Sequence, residues 1–167
     1  MPLEYVLGDV VRPRGEGRRI IAHPVNTVRA WGSVLALAIS NTHGGQHQDQ
    51  YVDWMRTIRP QLGATLFTRA DNEIIIAHML VHNGLQSPNN ENPLVYAALV
   101  KCLNDVFGKA TALKATVHTT RIGHGRGGGD WRRIEELMER TAKDHILTIY
   151  DRDYQAREPT LAFRRTE

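Results

Sequence analysis

The tightest constraint on how this chain can fold is the stretch TTRIGHGRGGGDW, residues 119–131, with five glycines in seven positions. Ahead of it, ATVHTT reads as a strand. Behind it, Asp130 is placed to cap a helix with Trp131, Ile134, Leu137, Met138 and Thr141 on one face. Strand, glycine loop and capped helix together suit a phosphate: without Cβ atoms the main chain approaches closely, and the helix N-terminus adds partial positive charge. Arg126 adds a full one. Gly123, Gly125 and Gly128 also match the G-x-G-x-x-G dinucleotide pattern. A Rossmann domain, however, carries that loop after its first strand and needs several βα units behind it. Only 39 residues follow Gly128, room for one helix and one strand. No Gly-Lys-Ser/Thr follows, which excludes a P-loop. A ligand-free connector stays open, but the flanking strand and cap favour phosphate.

The rest of the chain alternates. EYVLGDVV reads as a strand and turn, and RRIIAHPVN as a second strand whose Pro24 places its far end at an edge or bulge. WGSVLALAISNTH is apolar around much of its circumference, which predicts a helix buried on several sides. Tyr51, Trp54, Met55 and Ile58 mark an amphipathic helix ending before Pro60. ATLFTRA and EIIIAHMLVH form a hairpin, residues 84–93 a loop, and Pro93 opens a helix carrying Leu99, Leu103 and Phe107. HILTIYD is a last strand. The order predicts a three-layer α/β/α domain with a central mixed sheet.

At 167 residues, 41% hydrophobic and 23% charged, the chain is expected to be one globular domain. Its longest apolar run, Val34 to Ile39, is far below the roughly 20 residues that cross a bilayer, and MPLEYVLGD shows no secretory pattern. Cys102 is the only cysteine, so no internal disulfide or Cys-rich zinc site is expected. A cytoplasmic setting without membrane association follows as the expectation. The net charge of +3 is spread from RPRGEGRR to FRR; it helps anionic ligands in general and selects no partner. His43 and His47 stand four apart, but two glycines intervene and no third ligand is evident, so no metal site is expected. His23, His78, His118 and His145 read as ordinary partly buried residues.

Five segments, YVLGDVV, IIAHPVN, AWGSVLALAIS, EIIIAHMLVHNG and TTRIGHGRGGGDW…TIYD, resemble a macrodomain in order and spacing. The resemblance is to the terminal ADP-ribose glycohydrolase-like subclass and its bacterial relatives. It implies a macrodomain over residues 1–151, with 152–167 a peripheral or partly disordered extension. It further implies ADP-ribose, or an ADP-ribosylated protein or nucleic acid, as ligand, and no cofactor. Gly8, Asp9 and Val10 match the adenine end, with Tyr150 near the base, and Asn26 matches the distal ribose. Gly32 and Ser33 match the first phosphate loop. Ile122, Gly123, His124, Gly125, Arg126, Gly127 and Gly128 match the second.

The sequence also departs from the pattern. A second glycine usual in relatives is Val34 here. The lysine that glycohydrolases use as nucleophile is matched by His82, and the acid that some members carry in the loop is matched by Gly127. An imidazole suits a general base better than a covalent route, so His82 and Asp130 are the candidate catalytic residues. Three readings follow: a hydrolase that removes ADP-ribose from protein or nucleic acid, a non-catalytic ADP-ribose reader, and a phosphatase of ADP-ribose 1″-phosphate. Oligomeric state is not legible.

Overall fold

Five strands of a single sheet run parallel, so their carboxyl ends meet along one edge. The structure, a computed structural model, describes residues 2–151. In chain order the elements are β1 (Leu3–Leu7), β2 (Arg19–Asn26), α1 (Val34–His43), α2 (Gln46–Thr57), β3 (Thr65–Arg69), β4 (Ile74–His82), α3 (Tyr96–Leu113), β5 (Thr116–Thr119), α4 (Trp131–Ala142) and β6 (Leu147–Asp151). This is the order predicted from hydrophobic periodicity. The sheet order is β1-β6-β5-β2-β4-β3, with every neighbouring pair parallel except β3 and β4.

The central strands are buried on both faces, and their period-two alternation divides the core. Ile20 and Ala22 of β2, with Ala77, Met79 and Val81 of β4, face α3 and α4. Ile21, Val25, Ile76 and Leu80 face α1 and α2, where Ile39, Tyr51 and Trp31 complete a second cluster. The mixed sheet therefore separates two half-cores, each roofed by two helices, in the three-layer α/β/α arrangement expected. No helix among the described residues is long and apolar enough to cross a membrane.

Some local expectations hold and others change. Of the edge or bulge expected at Pro24, the structure has the bulge: the strand is central, and its register shifts at Val25/Asn26. The missing N–H of Pro24 is tolerated because β5 pairs with β2 only through Ile21, and the Thr119 hydroxyl then donates to the Ala22 carbonyl at 2.8 Å. Helix α1 is not buried on several sides: Val34 and Leu37 stand 65% and 49% exposed. Pro93 does not open α3, which starts at Tyr96; it lies in the extended approach, where its carbonyl accepts from Asn83 N. As the two intervening glycines led one to expect, His43 and His47 share no helix face: His43 ends α1 and His47 lies in the first turn of α2, which begins at Gln46. His23, His78 and His118 are fully buried rather than partly so. The expected extension, residues 152–167, lies outside the described residues.

Candidate functional site

Because five strands are parallel, the residues at or just past their ends collect on one edge, where ligands of open α/β sheets bind. These are Asp9 after β1, Asn26 on β2, His82 on β4, the glycine loop after β5, and Tyr150–Asp151 on β6. Two cavities open there. Lobe A, about 390 Å³, is lined by Asp9, Val10, Val34, Leu35, Ala38, Thr120, Arg121, His124, Gly125, Tyr150 and Asp151. Lobe B, about 420 Å³, is lined by Asn26, Trp31, Gly32, Ser33, His82, Leu85, Gln86 and Arg126, among others. Adjoining residues serve both: Gly32–Ser33 and Arg126 face lobe B, while Val34–Leu35 and Gly125 face lobe A. The lobes therefore meet at a waist between the first turn of α1 and the glycine loop.

That waist has the physics of an anion site. Ser33 caps α1, its hydroxyl accepting from Ala36 N at 3.1 Å, and the positive end of the helix dipole faces the waist. Helix α4 is built differently. Asp130 caps it by accepting from Arg132 N at 3.1 Å, and neither Asp130 nor Trp131 lines either lobe. The dipole at the cleft is that of α1.

Lobe A pairs an apolar floor with two carboxylates. Asp9 accepts from Val11 N at 3.2 Å and meets Arg12 at 3.4 Å. Tyr150 is buried beneath Gly8, and its hydroxyl accepts from Arg14 N and contacts His118 Nδ1, both at 2.8 Å. Asp151 pairs with Arg121 at 2.9 Å. The Arg121 guanidinium lies over the Tyr5 and Trp131 rings, 4.8 and 5.4 Å from their centroids. His124 leans on Trp131, with centroids 5.7 Å apart.

Lobe B contains no carboxylate among its lining residues. Asn26 Oδ1 accepts from Val28 N and Ala30 N, and Nδ2 donates to the Ala30 carbonyl. That leaves Asn26 one N–H for a ligand. Trp31 donates its Nε1–H to Ser40 Oγ at 2.8 Å and presents only its ring. His82 is half-buried, its Nε2 sealed without a hydrogen-bond partner, and burial holds its pKa below the ordinary histidine value.

The loop glycines divide by task. A Cβ at Gly123 would press on Leu94 and Ile134, one at Gly127 on the Gly123 carbonyl and His82, and one at Gly128 on the Glu91 carbonyl. These three line neither lobe, and Ile122 is buried in the core. Only Gly125 both lines the cleft and has open space where a Cβ would be. Sequence reasoning missed Arg121 and Trp31. It also treated Val34 as a mere departure, although the apolar excess of α1 was the signal that this helix lines a cleft. Among the described residues, no group of three His, Cys, Asp or Glu could hold a metal.

No protein-family model matches the sequence. The chain is similar to a protein of unknown function from Bacteroides thetaiotaomicron, at 31% identity over 90% of this chain and 98% of that one, TM-score 0.85. The mouse chromodomain-helicase-DNA-binding protein 1-like is 27% identical over 87% of this chain, which spans only 17% of that relative's length. Thermosipho africanus DarTG, solved in complex with ADP-ribose, shares the fold at TM-score 0.71 and 17% identity, over 95% of this chain and 43% of that one. A macrodomain protein from Streptomyces coelicolor is 32% identical over 89% of this chain and 98% of that one, TM-score 0.77. With that identity over nearly the full length of both chains, and with the three-layer fold to match, the protein belongs to the macrodomain family.

Proposed function

We propose that the cleft binds ADP-ribose, with the adenosine in lobe A, the distal ribose in lobe B and the diphosphate across the waist. The observation that carries this reading is the waist itself: a helix N-terminus faces a glycine loop, with a nucleoside-sized cavity on each side. Asp9 can accept from the adenine amino group over the apolar floor, and the free N–H of Asn26 can donate to a ribose oxygen.

On this reading the protein is a hydrolase of ADP-ribose attached to protein or nucleic acid. Lobe B offers one side chain that can act as a base near neutral pH, His82, which burial holds neutral. With Nε2 sealed, Nδ1 takes the proton from a water whose oxygen bonds the anomeric carbon. The bond to the leaving group breaks as that bond forms, the group departs as an anion with the bonding pair, and the imidazolium returns its proton to solvent. With no carboxylic acid to protonate a poor leaving group, the site suits ester linkages, whose carboxylate or phosphate leaves as a stable anion. The same absence favours a second reading, a reader that binds without turnover. Calorimetry with ADP-ribose, followed by release assays on ester-linked substrates, tests both. Binding with release supports the hydrolase, binding alone supports the reader, and no binding at millimolar ligand removes both.

A further inference from the structure

Four polar side chains that the cleft does not use lie in a buried line beneath lobe B. His47 of α2, Thr68 of β3, His78 of β4 and His23 of β2 are each at most 5% exposed. The links are His47 Nδ1 to Thr68 Oγ1 at 2.7 Å, Thr68 Oγ1 to His78 Nε2 at 2.8 Å, and His78 Nδ1 to His23 Nε2 at 2.8 Å. A neutral imidazole has one N–H and one lone pair, so such a chain can run in either direction.

Its outer end fixes the direction. Gln46 Nε2 donates to the His43 carbonyl at 2.9 Å, which identifies the amide nitrogen, and the same nitrogen lies 3.5 Å from His47 Nε2. The His43 carbonyl also lies near the His47 ring, but it takes the Gln46 hydrogen at 2.9 Å, and the contact of His47 Nε2 that has hydrogen-bond geometry is with the Gln46 amide. His47 Nε2 accepts there, and its proton sits on Nδ1 and goes to Thr68. The single hydroxyl hydrogen of Thr68 goes to His78 Nε2, and His78 Nδ1–H goes to His23 Nε2. That leaves the His23 proton on Nδ1, an atom with no hydrogen-bond partner. The His23 ring stands at 86° to the Trp31 ring, centroids 5.3 Å apart, an edge-on approach of the kind in which an N–H meets a π face. Trp31 also packs on Tyr51 and His78 and walls lobe B.

We propose that His47, Thr68, His78 and His23 are positioning residues for lobe B: a one-way hydrogen-bond relay, all three imidazoles in the Nδ1–H form, that ends on the Trp31 ring and holds it as the cavity wall. Each internal link already contains one hydrogen, so an added proton sets two donors face to face and breaks the line. The electrostatic neighbours of the three rings are one another and His43. Tyr51, against Trp31, turns its hydroxyl to the Asn26 carbonyl, and burial pushes it up to about 12. The relay stands on geometry alone; its effect on a ligand rests on the ADP-ribose reading above.

Long-range 1H–15N correlation spectra near neutral pH read the tautomer of each ring. A protonated Nδ1 and bare Nε2 are expected for His23, His47 and His78; an Nε2–H on any of them overturns the relay's direction. Thr68→Val removes the hydroxyl at nearly constant volume. It is expected to unfix the His78 tautomer and weaken ADP-ribose about tenfold, while AMP, which reaches only lobe A, binds unchanged. A folded Thr68→Val protein with wild-type ADP-ribose affinity overturns the link to Trp31. If that variant does not fold, Gln46→Ala at the exposed end is expected to give mixed tautomers, and an unchanged Nδ1–H pattern overturns the proposal. Should the wild type not bind ADP-ribose, the ligand reading fails, and the spectra still decide the relay.

Discussion

A Cβ built at Gly127 would stand 2.8 Å from His82 Nε2, so the loop glycine and the strand-end histidine claim the same space. The acid that some relatives carry here is therefore sterically excluded as well as missing, because the Gly123 carbonyl blocks the same position. Gly127→Ala is expected to cost about 1–3 kcal/mol through overpacking. Urea unfolding measures it, and a variant as stable as wild type would show that the loop does not close on His82 as described.

Gly125 sets the opposite expectation, since a side chain there meets open space. Gly125→Glu should leave stability within about 0.5 kcal/mol and abolish ADP-ribose binding, because it sets bulk and negative charge against the diphosphate at the waist. Calorimetry beside a thermal melt separates the two effects. Retained binding would move the diphosphate elsewhere.

His82→Ala should leave ADP-ribose affinity nearly intact and remove turnover of ester-linked substrates. The wild-type rate should stay level through neutral pH and fall as the imidazole takes up a proton, with a midpoint below the unperturbed 6.5 because burial disfavours the charged form. A pH–rate profile checks it. A midpoint above 6.5 would assign the base to another group.

Asp130→Ala should cost about 1 kcal/mol of stability, the loss of an N-cap, and leave binding and turnover unchanged. Denaturant titration and a rate measurement decide between cap and catalyst.

Acid should weaken the fold early. His23 and His118 stay neutral when folded, held down to about 3 and about 4 chiefly by burial, whereas each titrates near 6.5 when unfolded. Below pH 6.5 the unfolded chain therefore binds protons that the folded chain refuses. Stability falls by up to about 1.4 kcal/mol per pH unit per group until the folded values are reached. Denaturant unfolding at pH 7 and 5 measures the slope; equal stabilities would refute the neutral, buried state of these rings.

The element order was legible because β2 and β4 are short, nearly continuous apolar runs, as strands buried on both faces must be, and the helices carry stripes at i, i+3 and i+4. Helix α1 was misjudged for a physical reason: apolar residues facing a ligand cleft, such as Val34 and Leu35, have the same pattern as residues facing a core. Pro93 misled because a proline ahead of a helix can belong to its extended approach as easily as to its first turn. Asp9, Asn26 and His82 could be singled out only through the macrodomain resemblance, since a turn acid, an asparagine or a histidine at a strand end is ordinary by itself. Arg121 could not, since its setting is made by Tyr5, Trp131 and Asp151 from three other parts of the chain. The same holds for the buried imidazoles, each unremarkable in its own strand or helix, whose meaning lies in what the register of β2, β3 and β4 puts side by side.

The two half-cores have a consequence for mechanics. The first turn of α1 belongs to the layer built on Ile39 and Tyr51, whereas the glycine loop is anchored through Ile122 and its neighbour Ile134 in the layer on the other side of the sheet. A diphosphate gripped from both sides of the waist would act as a rivet through the sandwich, joining at the cleft two layers that the sheet holds apart. The separate loosening of one helical layer from the other would then be the motion that ligand suppresses first.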